Sequence, residues 1–263
     1  YIIVKYIVMA VNINSVYQKV LALSNKEQRG YITPQEFNLL ADMAQNEIFE
    51  NYFHQARNSS IKIKDDNNPM DILESIEDKL HPFYKQHLNI TITGGALNLL
   101  NPTGAGNLGE DIYKIVDIGV FDGSVFIPAV KVSAKEYNSI SANTKSVLYP
   151  TSSRPIYYVS AKNDPSPFGT PNHVARIVPA PSDSTIVSVH YYRQPLTPNW
   201  AYVVVNEKAL YNSNVSVDFE LSASEEEHLV SRILLLAGGA IKQPDLSQGA
   251  ASLLQQKNQE QNS

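Results

Sequence analysis

The chain has 263 residues, of which 43% are hydrophobic, enough to bury a sizeable core. Its 21 basic and 26 acidic residues leave a formal charge of −5 with no basic cluster, which argues against a dedicated duplex-DNA binder, because phosphate affinity comes from grouped Lys and Arg. Zero cysteines exclude disulfides, thiolate zinc sites, iron–sulfur clusters and cysteine nucleophiles, and suit assembly in the cytosol; the histidines are scattered, none paired at i, i+4.

Residues 1–11 read as an extension, disordered or foreign to the native protein. The stretch YIIVKYIV before Met9 is apolar, but Lys5 interrupts it and no small-residue cleavage site follows. No run approaches the ~20 apolar residues of a membrane span.

A helical region is predicted over 12–85. Asn12 opens a first helix carrying Ile13, Val16, Tyr17, Val20 and Leu21, which closes near Gly30. In RGYITPQEF, Thr33 is placed as N-cap, Pro34 as N1 and Glu36 as N3, a capping box, with Ile32 and Phe37 at the spacing of a hydrophobic staple. The helix that follows runs to about Gln55. Its stripe of Phe37, Leu40, Ala41, Ala44, Ile48 and Tyr52 is widened by Met43, Phe49 and Phe53, so it needs more than one neighbour. After a polar break that includes the charge run Lys62, Lys64, Asp65 and Asp66, a third, short helix starts at Pro69 with Asn68 as cap and stops at His81-Pro82.

From Leu88 the apolar period changes to two, and a mostly antiparallel β domain is predicted over 86–221. IYKIVDIGVF and SVFIPAVKV flank Asp122-Gly123, a strong hairpin signal. Further strands are expected at RPIYYVSAK, HVARIVPAP, TIVSVHYYRQP, WAYVVVN and SVDFELS. A C-terminal helix is expected over 222–242, opened by a second capping box of Ser222 and Glu225, with Leu229, Val230, Ile233, Leu234, Leu236 and Ala237 forming a broad apolar face. Residues 243–263 form a polar, Gln-rich tail with Leu246, Leu253 and Leu254 as sparse anchors. The fold class is α+β.

Candidate motifs are few. GAGNLG at 104–109 fits G-x-G-x-x-G, but Pro102 interrupts the approach and an alternating strand follows where a nucleotide-binding fold needs a helix, so a glycine loop is the better reading. Asp65, Asp66, Asn67 and Asn68 resemble the start of a calcium loop without its glycine or distal glutamate, and read as a solvated turn. His190-Tyr191-Tyr192-Arg193 and Pro198-Asn199-Trp200 hold the ingredients of a stacking site for single-stranded nucleic acid or sugar; with one cation, a strand with a core-facing tyrosine and a packed Trp200 is the better reading. No G-x-S-x-G elbow and no paired-carboxylate signal point to hydrolysis.

Three stretches in order, NSVYQKVLALSNKEQRGYITPQEFNLLADMAQNEIFENYF, HYYRQPLTPNWAYVVV and DFELSASEEEHLVSRILLLAGGAIKQPDLSQGAASLLQQK, resemble a family of virion structural proteins. The family occurs in tailed phages of the crAss-like group and related phages of Bacteroidetes hosts and marine waters. The likeness is strongest at Gly30 to Phe37, at Arg193-Gln194-Pro195 with Pro198 and Trp200, and from Glu225 to Lys242 with Pro244; the extension before Met9 is no part of the pattern. The resemblance implies a head-to-tail connector component, similar to the adaptor or ring proteins beneath the portal. Such a protein would be located in the virion after assembly in the bacterial cytoplasm. Its partners would be its own copies in a cyclic homo-oligomer, the portal and other tail proteins, with genomic DNA as passing cargo and no membrane. The family carries no catalytic motif. No catalytic, cofactor-binding or metal-binding residue and no cofactor are therefore expected. A ring-closing interface needs two different patches per subunit, and the N-terminal helical hairpin and the Ser222 helix are the candidates. The alternative from a different class is a tail-associated β-sandwich module that recognises host glycan through Trp200 and nearby tyrosines.

Overall fold

The computed structural model describes residues 10–26, 32–62, 69–92, 95–99, 112–121, 123–147, 149–160, 174–180, 186–240 and 255. The helices are α1 (Ile13–Lys26), α2 (Pro34–Lys62), α3 (Pro69–Leu80), α4 (Ala134–Ser141) and α5 (Glu226–Ala240). The strands are β1 (Tyr84–Thr91), β2 (Ala96–Asn98), β3 (Ile112–Phe121), β4 (Phe126–Pro128), β5 (Val130–Lys131), β6 (Ile156–Val159), β7 (Val174–Val178), β8 (Ile186–Arg193), β9 (Tyr202–Val205) and β10 (Lys208–Tyr211). The fold is α+β, and the chain divides into two compact units: residues 83–194 form one, and residues 1–82 with 195–263 the other. Residues 195–221, which the strand-like pattern groups with the β domain, thus cluster with the helices.

In the helical unit the start of α2 forms as its sequence predicts. Glu36 N–H donates to Thr33 Oγ1 at 3.2 Å, and Thr33 N–H returns a bond to Glu36 Oε2 at 2.9 Å. Those bonds from Thr33, the backbone one first, hold the Glu36 carboxyl below its ordinary pKa. Ile32 and Phe37 are both buried. The two-sided apolar surface of α2 finds two neighbours, α3 and α5, and α5 also packs on α1. The helix continues past Gln55 to Lys62, since no proline or glycine stops it. Of the charge run, Lys64, Asp65 and Asp66 lie outside the described residues, as do Asn68, Gly30 and the tail anchors Leu246, Leu253 and Leu254.

The stretch 195–222 is stitched to α1 and α2 by side-chain amides and carboxylates. Asn38 on α2 accepts from Trp200 N–H at 2.8 Å and donates to Trp200 O at 3.2 Å. Two turns on, Gln45 is fully buried, donates to Leu196 O at 2.8 Å and accepts from Glu220 N–H at 3.0 Å. Asp218 accepts from Ile13 N–H at 2.8 Å, so the first turn of α1 is capped both locally, by Asn12, and from a distance. These bonds replace a ladder. SVDFELS, expected as a strand, makes only isolated bridges, Asn199 with Val217 and Ala10 with Ser222. The strand that pairs with β9 is β10 instead, through a two-residue turn at Asn206-Glu207.

The β unit holds two four-stranded sheets, ordered β1-β8-β3-β4 and β2-β7-β6-β5. Ile90, Ile118, Val187, Val189 and Tyr191 from the first and Leu97, Tyr157, Ala175 and Ile177 from the second share one core, the arrangement of a β-sandwich. The predicted hairpin joins β3 to β4 with Phe121 opposite Phe126, and Gly123 occupies a φ of +103° that a side chain would resist. A Cβ at Gly119 would lie 2.6 Å from Ser188 Oγ and 3.2 Å from Phe126 Cβ, so a side chain there would make these neighbours shift. SVFIPAVKV is not one strand: Phe126–Pro128 pairs with β3, whereas Val130 turns to the second sheet, its N–H bonding Pro155 O at 2.9 Å. Pro128, lacking an N–H, is a natural place for that change of sheet. β5 and β6 are parallel, which demands a crossover, and α4 supplies it. That helix opens with a capping box of Ser133 and Glu136 absent from the sequence reading.

Candidate functional site

The C-terminal helix does not open as predicted. Ser222 makes no side-chain cap bond, a 3-10 turn covers Ala223–Glu225, and Glu225 is 1% exposed. Its carboxylate meets Lys79 Nζ from α3 at 3.0 Å and His228 Nδ1 from α5 at 3.0 Å. A buried carboxylate forms its strongest bonds with charged donors, and the Lys79 ammonium together with the His228 ring nitrogen outweighs a local backbone N–H. Beside this group Tyr52 on α2 is 3% exposed, its ring 5.7 Å from Lys79 Nζ. Its hydroxyl has no hydrogen-bond partner among the described residues. Burial, and then the Glu225 charge, push the Tyr52 phenol far above its ordinary pKa.

A groove of about 410 Å³ lies between α2 and α5, lined by Glu47, Ile48, Glu50, Asn51, His54, His228 and Arg232. Arg232 binds both carboxylate oxygens of Glu47, so these two charges neutralise each other and Glu50 leaves the rim acidic. Among the described residues no three His, Asp or Glu side chains are grouped to hold a metal ion. On the far side of α5, Glu226 accepts from Ser15 Oγ and pairs with Lys19 at 2.9 Å, and these partners hold its carboxyl below the ordinary value. Most of the broad apolar face of α5 is turned inward: Leu229, Val230, Ile233, Leu234 and Ala237 are buried, and Leu236 is half-buried.

The stacking candidates are dispersed and mostly covered. Trp200 is 2% exposed, its Nε1 donates to Asn14 Oδ1 at 3.0 Å, and its ring lies 4.1 Å from that of Tyr17. No face remains for a glycan. Tyr191 is in the sandwich core, and His190 sits 2.5 Å from Tyr84 Oη and 3.1 Å from Gln86 Nε2, which makes the imidazole a link between β1 and β8. Arg193 lies over the ring of Phe83 at 5.8 Å. GAGNLG and Asp65 to Asn68 fall outside the described residues.

Among the described residues several large apolar side chains are exposed. Val203, Val204, Val205 and Leu210 of the β9–β10 ribbon are each 46–64% exposed, and on α2 Leu39 and Met43 are 64% and 49% exposed. The three successive valines in WAYVVVN were a visible signal, readable as a strand but not as an unburied one. No helix among the described residues is long and apolar enough to cross a membrane. No family model matches the chain, and no curated protein matches it significantly.

Proposed function

We propose that this chain is a non-enzymatic structural subunit of a tailed-phage virion, forming a ring in the head-to-tail connector, as an adaptor below the portal that joins capsid to tail and lets DNA pass. The observation that carries this reading is the apolar surface left on the helical unit in separate places, among them the β9–β10 ribbon and the Leu39–Met43 face of α2. Two different patches per subunit are what a heterologous, ring-closing contact requires. The sequence resemblance points the same way. Mild acidity suits a channel wall past which DNA slides, since like charge disfavours sticking. Its partners are then its own copies, the portal and the next tail component, and its location is the particle. Electron microscopy of intact particles tests this, with a closed ring of this chain on the tail axis expected. Purified protein and disrupted virions that never yield a cyclic oligomer containing it would sink the idea.

A further inference from the structure

The β9–β10 ribbon is under-supported as an isolated element. A two-stranded ribbon is marginal by itself in water. Its turn places two residues with side chains, Asn206 at φ 49° and Glu207 at φ 64°, in the left-handed region, which Asn adopts readily and Glu does not. Its base is fixed, because the Tyr202 and Tyr211 rings each stack 5.8 Å from Trp200, itself buried and bonded to α1 and α2. Its outer half is open on both faces.

The chemistry of one face identifies what it fits. Val203 pairs with Leu210 and Val205 with Lys208, and directly opposed residues project from the same side of a ribbon, so Val203, Val205, Leu210 and Lys208 share a face. It is apolar with a single cation toward the tip. On α2, Leu39, Asp42 and Met43 are neighbours at helical spacing, an apolar pair beside Asp42, with Glu36 and Glu47 one turn to either side but engaged by Thr33 and Arg232. Among the described residues, neither Lys208 nor Asp42 forms an ion pair. The two patches match in apolar character and carry opposite charge, and each copy of the chain carries one of each.

We infer that the β9–β10 ribbon of one copy docks on the Leu39–Asp42–Met43 face of α2 in a second copy, with Lys208 against Asp42. The contact joins unlike patches, so each copy offers one donor ribbon and one acceptor helix face. It rests on the reading of the chain as a self-assembling ring subunit and assigns the surfaces that reading needs.

The absence of cysteine from the chain makes the test clean. Full-length Lys208→Cys and Asp42→Cys chains, mixed and oxidised with copper phenanthroline, are expected to yield disulfide dimers of unlike chains. Either chain alone should yield far fewer. Equal dimer from each chain alone, or none from the mixture, overturns the assignment. In sedimentation, Leu210→Asp is expected to raise the dissociation constant by about tenfold or more, the order of a central apolar anchor. Lys208→Glu and Asp42→Lys should each weaken assembly and together restore it, an outcome that misfolding cannot imitate; circular dichroism checks the fold of each variant. Assembly that survives Leu210→Asp and both charge reversals overturns the ribbon contact and leaves the ring reading standing, whereas an unaltered chain that stays monomeric in solution and in disrupted particles overturns both.

Discussion

Thr33-Pro34-Gln35-Glu36 and Ser222-Ala223-Ser224-Glu225 have the same hydroxyl-to-carboxylate spacing at the head of a helix, and they fold differently. At the first, the carboxylate turns back to its own backbone and closes the box. At the second, it turns inward to Lys79 and His228, and the hydroxyl of Ser222 is left with a bond from Ser224 alone. The difference is one of surroundings. Glu36 is exposed, and the best donors within its reach are local. Glu225 is buried where α3 and α5 bring two nitrogen donors to it, and a buried carboxylate left without such partners is far more costly than an uncapped turn. A capping box is therefore a local competitor that wins only where tertiary structure offers its carboxylate nothing stronger.

The largest expected effect comes from breaking the second site. Glu225→Gln leaves Lys79 facing a neutral amide, and is expected to destabilise the helical unit by about 3 kcal/mol, at the low end for a buried pair because Lys79 can still reach solvent. Urea unfolding followed by circular dichroism measures it, and a loss no greater than that of a surface substitution would show that the pair is not structural.

Exchanging the hydroxyls sharpens the contrast. Thr33→Ala removes a working cap and is expected to cost about 1 kcal/mol, whereas Ser222→Ala, at a position with no side-chain cap bond, is expected to fall within the noise of the same unfolding curves. Equal losses at the two positions would mean that Ser222 caps its helix after all.

The smallest effect, and one of opposite sign, is expected at Tyr52. Removing a buried hydroxyl that lacks a partner should stabilise by up to about 1 kcal/mol near neutral pH. The folded phenol resists ionisation, while in the unfolded chain it titrates near 10.0, so the unfolded state sheds a proton that the folded state keeps and stability falls as pH rises past that value. Tyr52→Phe should flatten this alkaline decline, read from urea midpoints at neutral pH and above pH 10. An unchanged slope would place the Tyr52 hydroxyl in contact with water.

The comparison also marks how far the sequence is legible. Elements governed by residues close together in the chain were readable: the Thr33 box, the breadth of α2, the start of α3 at Pro69, β3 and the turn at Gly123. Elements governed by distant partners were not. SVDFELS alternates as a strand should, yet Asp218 and Glu220 bond to α1 and α2, and β9 pairs with the less strand-like Lys208–Tyr211. SVFIPAVKV alternates too, but its two halves join different sheets. The α4 capping box, Ser133 with Glu136, was plain in the letters and was obscured by the strand pattern that precedes it. For the candidate surfaces, the apolar character of Val203, Val204, Val205 and Leu210 was visible, but an apolar run means burial by default.

Sequence alone determined the fold class, the helix starts whose caps are local, and a composition without cysteine or a basic cluster. Only the tertiary structure decided which apolar surface is covered and which is left open, because burial depends on what else arrives at the same place. It withdrew Trp200 and most of the apolar face of α5 into the interior and left the β9–β10 ribbon exposed. It also decided what Glu225 does, since the energy of a carboxylate depends on the charges brought next to it by parts of the chain that no local pattern can see.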